Sequence, residues 1–117
     1  MMTTFDSNTV VLISRNGMGD ADPALQQKLI GIYLNLLLES NLLPGVICFY
    51  ADGVKLTTSG SPVLDTLRAL EAKGVRLVIC STCLGFYKLE GEVQVGIAGG
   101  MTDILEAQRR AAKVIAL

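Results

Sequence analysis

Three runs rich in apolar residues constrain the fold of this chain more than any other feature of its sequence. They are TVVLIS at positions 9–14, VICFY at 46–50 and VRLVIC at 75–80. Runs of this length without polar alternation are typical of strands that are covered on both faces, as in a parallel sheet. Helical segments separate the three runs, which indicates repeated β-α-β units with right-handed crossovers. We therefore expect an α/β fold with a mostly parallel sheet.

Capping residues delimit the predicted helices. Asp22 followed by Pro23 predicts an N-cap and a proline at the first helical position, and Ser61 with Pro62 predicts a second start of the same kind. The expected helices span residues 23–40, 62–73, 81–89 and 103–112, the last capped by Thr102, and two further strands are expected at 93–97 and 114–117. The sheet would then have five strands. Because the 117 residues show no compositional break, a single domain covering residues 1–117 is expected.

The first predicted helix is apolar around most of its circumference. Leu25, Leu29, Ile32 and Leu36 mark one face, and further leucines and isoleucines widen it well beyond a single stripe. Such a helix is either deeply buried or forms half of a contact between subunits.

The absence of histidine excludes several classes of site. Ser-His-Asp and Cys-His catalysis need an imidazole, and a zinc site without histidine would need a second Cys-x-x-C pair. Zinc is therefore not expected, nor is another metal or an organic cofactor. Ten basic and eleven acidic residues without a basic run do not support binding to nucleic acid or to an anionic membrane. No signal peptide or membrane span is visible, and three cysteines, an odd number, suit reduced thiols in the cytoplasm.

Two of these cysteines carry the candidate chemistry. Cys80 closes the third predicted strand, and Cys83 lies three residues further on, at the start of the short helix. A thiol at a helix start is expected to have a lowered pKa, which makes its thiolate more available as a nucleophile. The spacing also allows a disulfide between Cys80 and Cys83, or resolution by one thiol of a persulfide on the other. The alternative is that both are packing residues, as is expected of Cys48 inside the second strand.

Two other loops leave the carboxyl ends of predicted strands, where ligands bind in parallel sheets. In the first loop, the Gly-Met-Gly-Asp-Ala-Asp stretch at 17–22 lacks the third glycine of the dinucleotide fingerprint, which predicts a glycine turn and a helix cap. The second loop, residues 51–60, either cradles a small anion near the thiols or is a solvated loop. The residues expected to line a substrate pocket are Gly17, Gly19, Asp20, Gly53, Lys55, Thr57, Thr58, Gly60 and Tyr87.

The sequence resembles the DsrE/DsrF-like superfamily of sulfur-handling proteins, most closely its YedF-type branch, which is associated with selenium metabolism. The Gly-Val-Lys-Leu-Thr loop at 53–57 and the Thr-Cys-Leu segment at 82–84 are the most specific matching parts. The other matching stretches are residues 17–20, 60–61, 74–75, 95–96, 101–104 and 113–114. Branch members often show Cys-Gly-Thr-Cys, and Ser81 replaces that glycine in this chain.

The resemblance implies a three-layer α/β/α sandwich and a homo-oligomer, either a trimer or a hexamer. It implies a sulfurtransferase-like relay protein that carries sulfur or selenium as a persulfide on a cysteine at the position of Cys80. YedF-type proteins usually carry an N-terminal TusA-like sulfur-carrier domain, which residues 1–117 do not include, so a separate carrier or a cysteine desulfurase is the expected partner. Two alternatives stay open: a non-catalytic oligomeric module that binds a small ligand or a protein, and a thiol redox sensor that uses Cys80 and Cys83.

Overall fold

A computed structural model describes the chain from residue 4 to residue 117. The strands are β1 (Thr4–Ile13), β2 (Leu42–Phe49), β3 (Arg76–Cys80), β4 (Ile97–Gly99) and β5 (Lys113–Ala116). The α-helices are α1 (Pro23–Glu39), α2 (Leu64–Ala72), α3 (Ser81–Tyr87) and α4 (Met101–Arg110). A 3₁₀ segment, Ala51–Thr57, follows β2, and a single 3₁₀ turn, Glu90–Glu92, follows α3.

The five strands form one parallel sheet in the order β4-β3-β2-β1-β5. The connections from β1 to β2 and from β2 to β3 cross the sheet in the same direction, so right-handed crossovers place α1 and α2 together on one face. The connection from β4 to β5 returns in the opposite direction, which places α4 on the other face, against β1 and β3. The predicted α/β/α sandwich with a parallel sheet is confirmed.

The interior is built mainly from aliphatic side chains. Ile13, Ile47 and Ile79 in the three central strands are completely buried, and Phe49 is the one aromatic side chain in the core of the described residues. From the helices, Ile30 and Leu34 of α1, Leu67 and Leu70 of α2 and Ile104 of α4 complete the core. The apolar runs of the sequence are thus covered on both faces, as expected.

The cap of α1 is as predicted, whereas the other two capping predictions need correction. The Asp22 carboxylate accepts a hydrogen bond from the Ala24 N–H at 2.9 Å. Helix α2 begins only at Leu64, because Pro62 lies in a turn that the Ser61 hydroxyl closes by accepting from the Val63 N–H at 3.2 Å. In α4, Gly100 is the N-cap instead of Thr102. Its N–H donates to the carboxylate three residues further on, at 2.9 Å.

The fourth strand lies further along the chain than the predicted 93–97. Val93 instead forms an antiparallel bridge with Thr58, and the chain then turns at Gly96, whose φ of +77° favours glycine. Only after this turn does Ile97 reach the edge of β3. The hydrophobic pattern at 93–97 therefore reflects burial of a loop, in particular of Val95, and not a strand.

Strand β2 begins earlier than predicted and includes Pro44. Its first residues pair with β1 only, since the pairing with β3 starts at Val46 opposite Arg76. A proline is tolerated in this part of the strand because one side needs no ladder hydrogen bond. None of the helices in the described part of the chain is long and apolar enough to span a membrane.

Candidate functional site

The connections after β1, β2 and α3 meet at the carboxyl end of the sheet. Together with parts of α1 and α3 they line a cavity of about 330 Å³. Its lining comprises Asn16, Gln27, Lys55, Thr58, Ser59, Gly60, Ser61, Pro62, Tyr87 and Leu89. Of the strand-end loops that were expected to converge, the first contributes Asn16 and the second contributes residues 55 and 58–60, while Cys80 and Cys83 are not part of the lining.

Cys80 is the last residue of β3 and the N-cap of α3. It pairs in register with Gly99 of the edge strand β4, and its side chain is completely buried in the core. Cys80 therefore lies at the junction of a strand and a helix, as predicted. Its sulfur does not face the solvent in this chain.

Cys83 lies in the first turn of α3 and is only partly buried. Its sulfur accepts a hydrogen bond from the backbone N–H of Ala51 at 3.1 Å, and its thiol interacts with that of Cys80. All three cysteines of the chain are free. The structure therefore combines a reachable sulfur, a backbone donor and a second thiol at one position.

The expected low pKa of a thiol at this helix start is wrong for Cys83. Burial raises the pKa of the Cys83 thiol, the neighbouring Cys80 raises it further, and the Ala51 N–H opposes both by binding the anionic form. Burial and the neighbouring thiol together outweigh this single backbone donor. Burial likewise raises the pKa of Cys48 to about 11, as befits a core residue.

The 3₁₀ segment that supplies the Ala51 N–H is packed tightly on the end of β1. The Tyr50 N–H donates to the Ile13 carbonyl at 3.1 Å, and the Gly53 N–H donates to the Tyr50 carbonyl at 2.9 Å. A Cβ atom at Gly53 would lie 2.1 Å from the Ile13 oxygen, so only glycine permits this approach. Ala51 itself adopts a φ of +50°, in the left-handed region. The predicted loop is thus an ordered turn whose backbone faces the thiol.

Asp52, Lys55 and Tyr87 form a polar cluster beside this turn. The Tyr87 hydroxyl donates to Asp52 at 2.5 Å, the Lys55 ammonium lies 3.2 Å from the same carboxylate oxygen, and it lies 4.4 Å from the centre of the Tyr87 ring. The hydrogen bond from Tyr87, then the one from Lys55, lowers the pKa of Asp52, and the carboxylate in turn raises the pKa of Tyr87. Asp52 is therefore ionised and held between two donors.

Asp52 and Ala51 were missed as site residues. Asp52 lies three positions before Lys55, a spacing that pairs the two charges on one turn, and it directly follows the end of a strand. From this spacing and this position after a strand, Asp52 could have been predicted as a site residue. No feature of the sequence marks Ala51, because its contribution is a backbone N–H that any residue except proline carries.

The other predicted pocket residues divide into two groups. Thr57 is buried and donates to the Val54 carbonyl at 2.7 Å, and Thr58 donates to the Lys55 carbonyl at 2.9 Å, so both hydroxyls close the 3₁₀ segment. Together with Gly53 they build the turn, while Gly60 borders the cavity, as Thr58 also does.

The glycine loop after β1 lies outside the lining of the cavity. Gly17 packs against Gln26, the side chain of Gln26 donates to the Gly19 carbonyl at 2.6 Å, and Asp20 is exposed. From this loop only Asn16 reaches the cavity. The turn-and-cap interpretation of residues 17–22 describes what these residues do in the structure.

No three cysteine, aspartate or glutamate side chains of the described part of the chain cluster in the way that a metal site requires. Cys80 and Cys83 interact with each other as free thiols, and the Asp52 carboxylate is bound by Tyr87 and Lys55.

Comparison with known structures places this site in a known fold. The structure is similar to the ychN protein from E. coli, with a TM-score of 0.68 and 16% identity over 94% of this chain and 99% of that chain. It is similar to MTH1491, a protein of unknown function from Methanobacterium thermoautotrophicum, with a TM-score of 0.67 and 21% identity over 96% and 100%. A third similar structure is BT1422 from Bacteroides thetaiotaomicron, with a TM-score of 0.62 and 11% identity over 94% and 95%.

At these identities the structural likeness shows the fold alone. No curated protein matches the sequence significantly. The sequence model of the DsrE/DsrF-like family, however, matches residues 11–117. This match covers every strand and helix described above except the first part of β1, and it includes both thiols of the site. The chain belongs to the DsrE/DsrF-like family.

Proposed function

We propose that this protein is a sulfur-relay protein that receives sulfur on Cys83 with Cys80 as the neighbouring thiol. The observation that carries the proposal is that Cys83 is a partly exposed residue whose sulfur accepts a hydrogen bond from a backbone N–H. The family is linked to sulfur relay, which supports the same reaction class. The resemblance implied a persulfide on Cys80, but complete burial of that side chain favours Cys83 as the first acceptor.

The reaction is a thiol exchange at the outer sulfur of a donor persulfide. The Cys83 thiolate attacks the outer sulfur of R–S–SH, a new S–S bond forms at Cys83, and the donor's S–S bond breaks. Its electron pair leaves with the donor as R–S⁻, so the protein holds Cys83–S–SH and the charge balances. A second exchange of the same kind passes the sulfur to an acceptor thiolate. The Ala51 N–H stabilises the Cys83 thiolate that attacks the donor, and the same thiolate when it leaves in the second exchange.

A protein donor suits the surroundings of this thiol. Phe86 is 81% exposed and packs edge to face against Tyr87, with the ring centres 5.3 Å apart. An exposed aromatic side chain beside the reactive sulfur is a typical anchor for a protein partner. We therefore propose a TusA-like carrier or a cysteine desulfurase as the donor. The proposal also includes membership of the YedF-type branch, selenium as an alternative cargo and a cytoplasmic location. Free thiols are consistent with that location, because the cytoplasm is reducing.

The exposed face of α1 supports assembly into a homo-oligomer. Helix α1 buries Ile30 and Leu34 against the sheet, whereas the predicted stripe faces outward. Leu25, Leu29, Ile32 and Leu36 of this stripe are between 36% and 55% exposed. Monomeric proteins rarely expose a continuous row of large aliphatic side chains on one helix. A second copy of the chain would cover this row and remove it from water.

Mass spectrometry after incubation with a cysteine desulfurase and cysteine tests the relay. We expect a mass increase of one sulfur on the peptide that contains both thiols, its loss in Cys83→Ser, and its persistence in Cys48→Ser as the matched control. Absence of added sulfur in the wild-type protein would contradict the relay. Addition that Cys83→Ser leaves unchanged would contradict the assignment to Cys83.

A second candidate function is a thiol redox sensor, which the contact between the Cys80 and Cys83 thiols favours. An oxidant of the disulfide class would accept two electrons and both thiol protons as the intramolecular S–S bond forms. This function predicts a reversible disulfide in a glutathione redox titration.

A non-catalytic binding module, the remaining alternative, predicts instead that ligand-induced stabilisation survives the loss of both cysteines.

A further inference from the structure

We infer that Asp52 and Tyr87 are positioning residues that hold the Ala51 N–H against the sulfur of Cys83. The inference rests on the proposed function in taking this sulfur as the reacting atom. Neither residue touches the sulfur in a hydrogen bond. Their part is to fix the distance and direction of the donor that does.

The same two segments are joined by two hydrogen bonds, between consecutive residues of the 3₁₀ segment and residues four positions apart in α3. Ala51 and Asp52 are consecutive in the 3₁₀ segment, and Cys83 and Tyr87 lie one helical turn apart on the same face of α3. The first contact is the Ala51 N–H on the Cys83 sulfur at 3.1 Å, and the second is the Tyr87 hydroxyl on the Asp52 carboxylate at 2.5 Å. A hydrogen bond from a neutral N–H to sulfur is weak, while one to a carboxylate is strong. The second contact is therefore the one that holds the segments in register.

The backbone conformation of Ala51 also supports the inference that the contact between Asp52 and Tyr87 positions the Ala51 N–H. An alanine with a φ of +50° is strained by roughly 1 kcal/mol, and such a residue persists only where its surroundings hold it. Before it, the Tyr50 N–H is tied to β1, and after it the Asp52 side chain is tied to α3. The strained residue thus lies between two anchors and turns its N–H to the sulfur.

The charges around Cys83 allow the positioning effect to be separated from simple electrostatics. Among the described residues, four titratable groups lie near the Cys83 thiol: Cys80 at the end of β3, Asp52 and Lys55 in the 3₁₀ segment, and Tyr87 on α3. A fifth group, Glu90, lies against Gly85 of α3. Asp52 and Lys55 form an ion pair, so their charges largely cancel at the sulfur. Replacing Tyr87 by phenylalanine changes no charge at neutral pH and removes only the hydrogen bond.

The first experiment measures the ionisation of Cys83 in Tyr87→Phe. Iodoacetamide alkylation is followed from pH 6 to pH 11, and fragment ions of the tryptic peptide 77–88 separate Cys83 from Cys80. We expect the midpoint of the curve of alkylation rate against pH to move to higher pH for Cys83. Below the midpoint, alkylation should slow about two- to tenfold, the range for one hydrogen bond to the thiolate. Tyr33→Phe, on α1 and away from the site, is the matched control and should change neither value.

A second pair of variants isolates the hydrogen bond from the charge of Asp52. Asp52→Asn and Asp52→Ala both remove the carboxylate charge, but only asparagine keeps an oxygen that accepts from the Tyr87 hydroxyl. We expect a higher midpoint for Cys83 in Asp52→Ala than in Asp52→Asn. Equal midpoints in this pair, or an unchanged midpoint in a folded Tyr87→Phe, would overturn the inference.

The alkylation measurement does not depend on sulfur transfer, so the two proposals fail separately. A shifted midpoint in a protein that never accepts sulfur would support the positioning of the N–H and contradict the relay. Sulfur loading with an unchanged midpoint in Tyr87→Phe would support the relay and contradict the positioning.

Discussion

Ala51 donates its backbone N–H to the sulfur of Cys83 although the two residues are 32 positions apart in the chain. The contact links the end of the second strand with the helix after the third strand, which neighbour each other in the parallel sheet. It gives the partly exposed thiol a backbone hydrogen-bond donor.

The three thiols differ in their accessibility, and we expect their alkylation to follow that difference. In the native protein Cys83 should react first, because Cys48 and Cys80 are completely buried. Its rate should reach half of its maximum at a higher pH than for the same cysteine in the urea-unfolded chain, since its pKa is raised. Peptide mass spectrometry of a time course measures both quantities. Faster labelling of Cys80 than of Cys83 would contradict the structure.

The buried thiol of Cys48 makes stability depend on alkaline pH. Its pKa is about 11 in the folded protein against 9 for an unperturbed thiol, because burial disfavours the anion. The unfolded state therefore ionises first, so this contribution is complete below pH 9 and is lost as the pH rises to 11. Two pKa units correspond to about 3 kcal/mol of unfolding free energy.

Urea unfolding of wild type and Cys48→Ala across this pH range checks the prediction. The alanine variant should be less stable at pH 8 but should lose less stability on going to pH 11, because it has no thiol to ionise at this position. Parallel pH curves for the two proteins would show that Cys48 ionises equally easily in the folded and the unfolded state.

Two glycine-to-alanine substitutions should have opposite effects. Gly53→Ala places a methyl group 2.1 Å from the Ile13 oxygen, so the 3₁₀ segment must move away from β1 at a cost of roughly 3 kcal/mol or more. Gly31→Ala, in the middle of α1, meets no atom within 4 Å and should stabilise the helix by about 0.5–1 kcal/mol. Thermal and urea unfolding measure both. Equal stability of Gly53→Ala and wild type would contradict the close packing of this segment.

The outward face of α1 predicts the site of self-association. We expect the protein to be oligomeric by light scattering coupled to size-exclusion chromatography, and Ile32→Glu to shift it towards the monomer, because a carboxylate cannot be buried without a partner. Leu105→Glu on α4 is the control, since this leucine is also well exposed, at 62%, but lies on the opposite face of the sheet. A monomeric wild-type protein, or dissociation by Leu105→Glu alone, would contradict this interface.

The class of fold followed from local patterns of the sequence. The run TVVLIS lies within β1 except for its last residue, Ser14, and Asp22 with Pro23 begins α1, because burial on both faces and helix capping depend on residues close together in the chain. The errors arose where a local pattern had two explanations. Val95 is apolar because it is buried in a loop, and Pro62 lies in a turn before the helix that it was expected to open.

Within the site, the sequence determined the identity of the thiols and their place at the end of a strand, since the alternation of strand and helix puts Cys80 and Cys83 there. Only the tertiary structure decided that Cys80 is buried and Cys83 is reachable, because that depends on which side of β3 and α3 the neighbouring segments cover. It alone also brought Ala51 to the sulfur and Asp52 to Tyr87. These contacts join segments that are distant in the chain, and their geometry is set by the packing of one strand connection against the next.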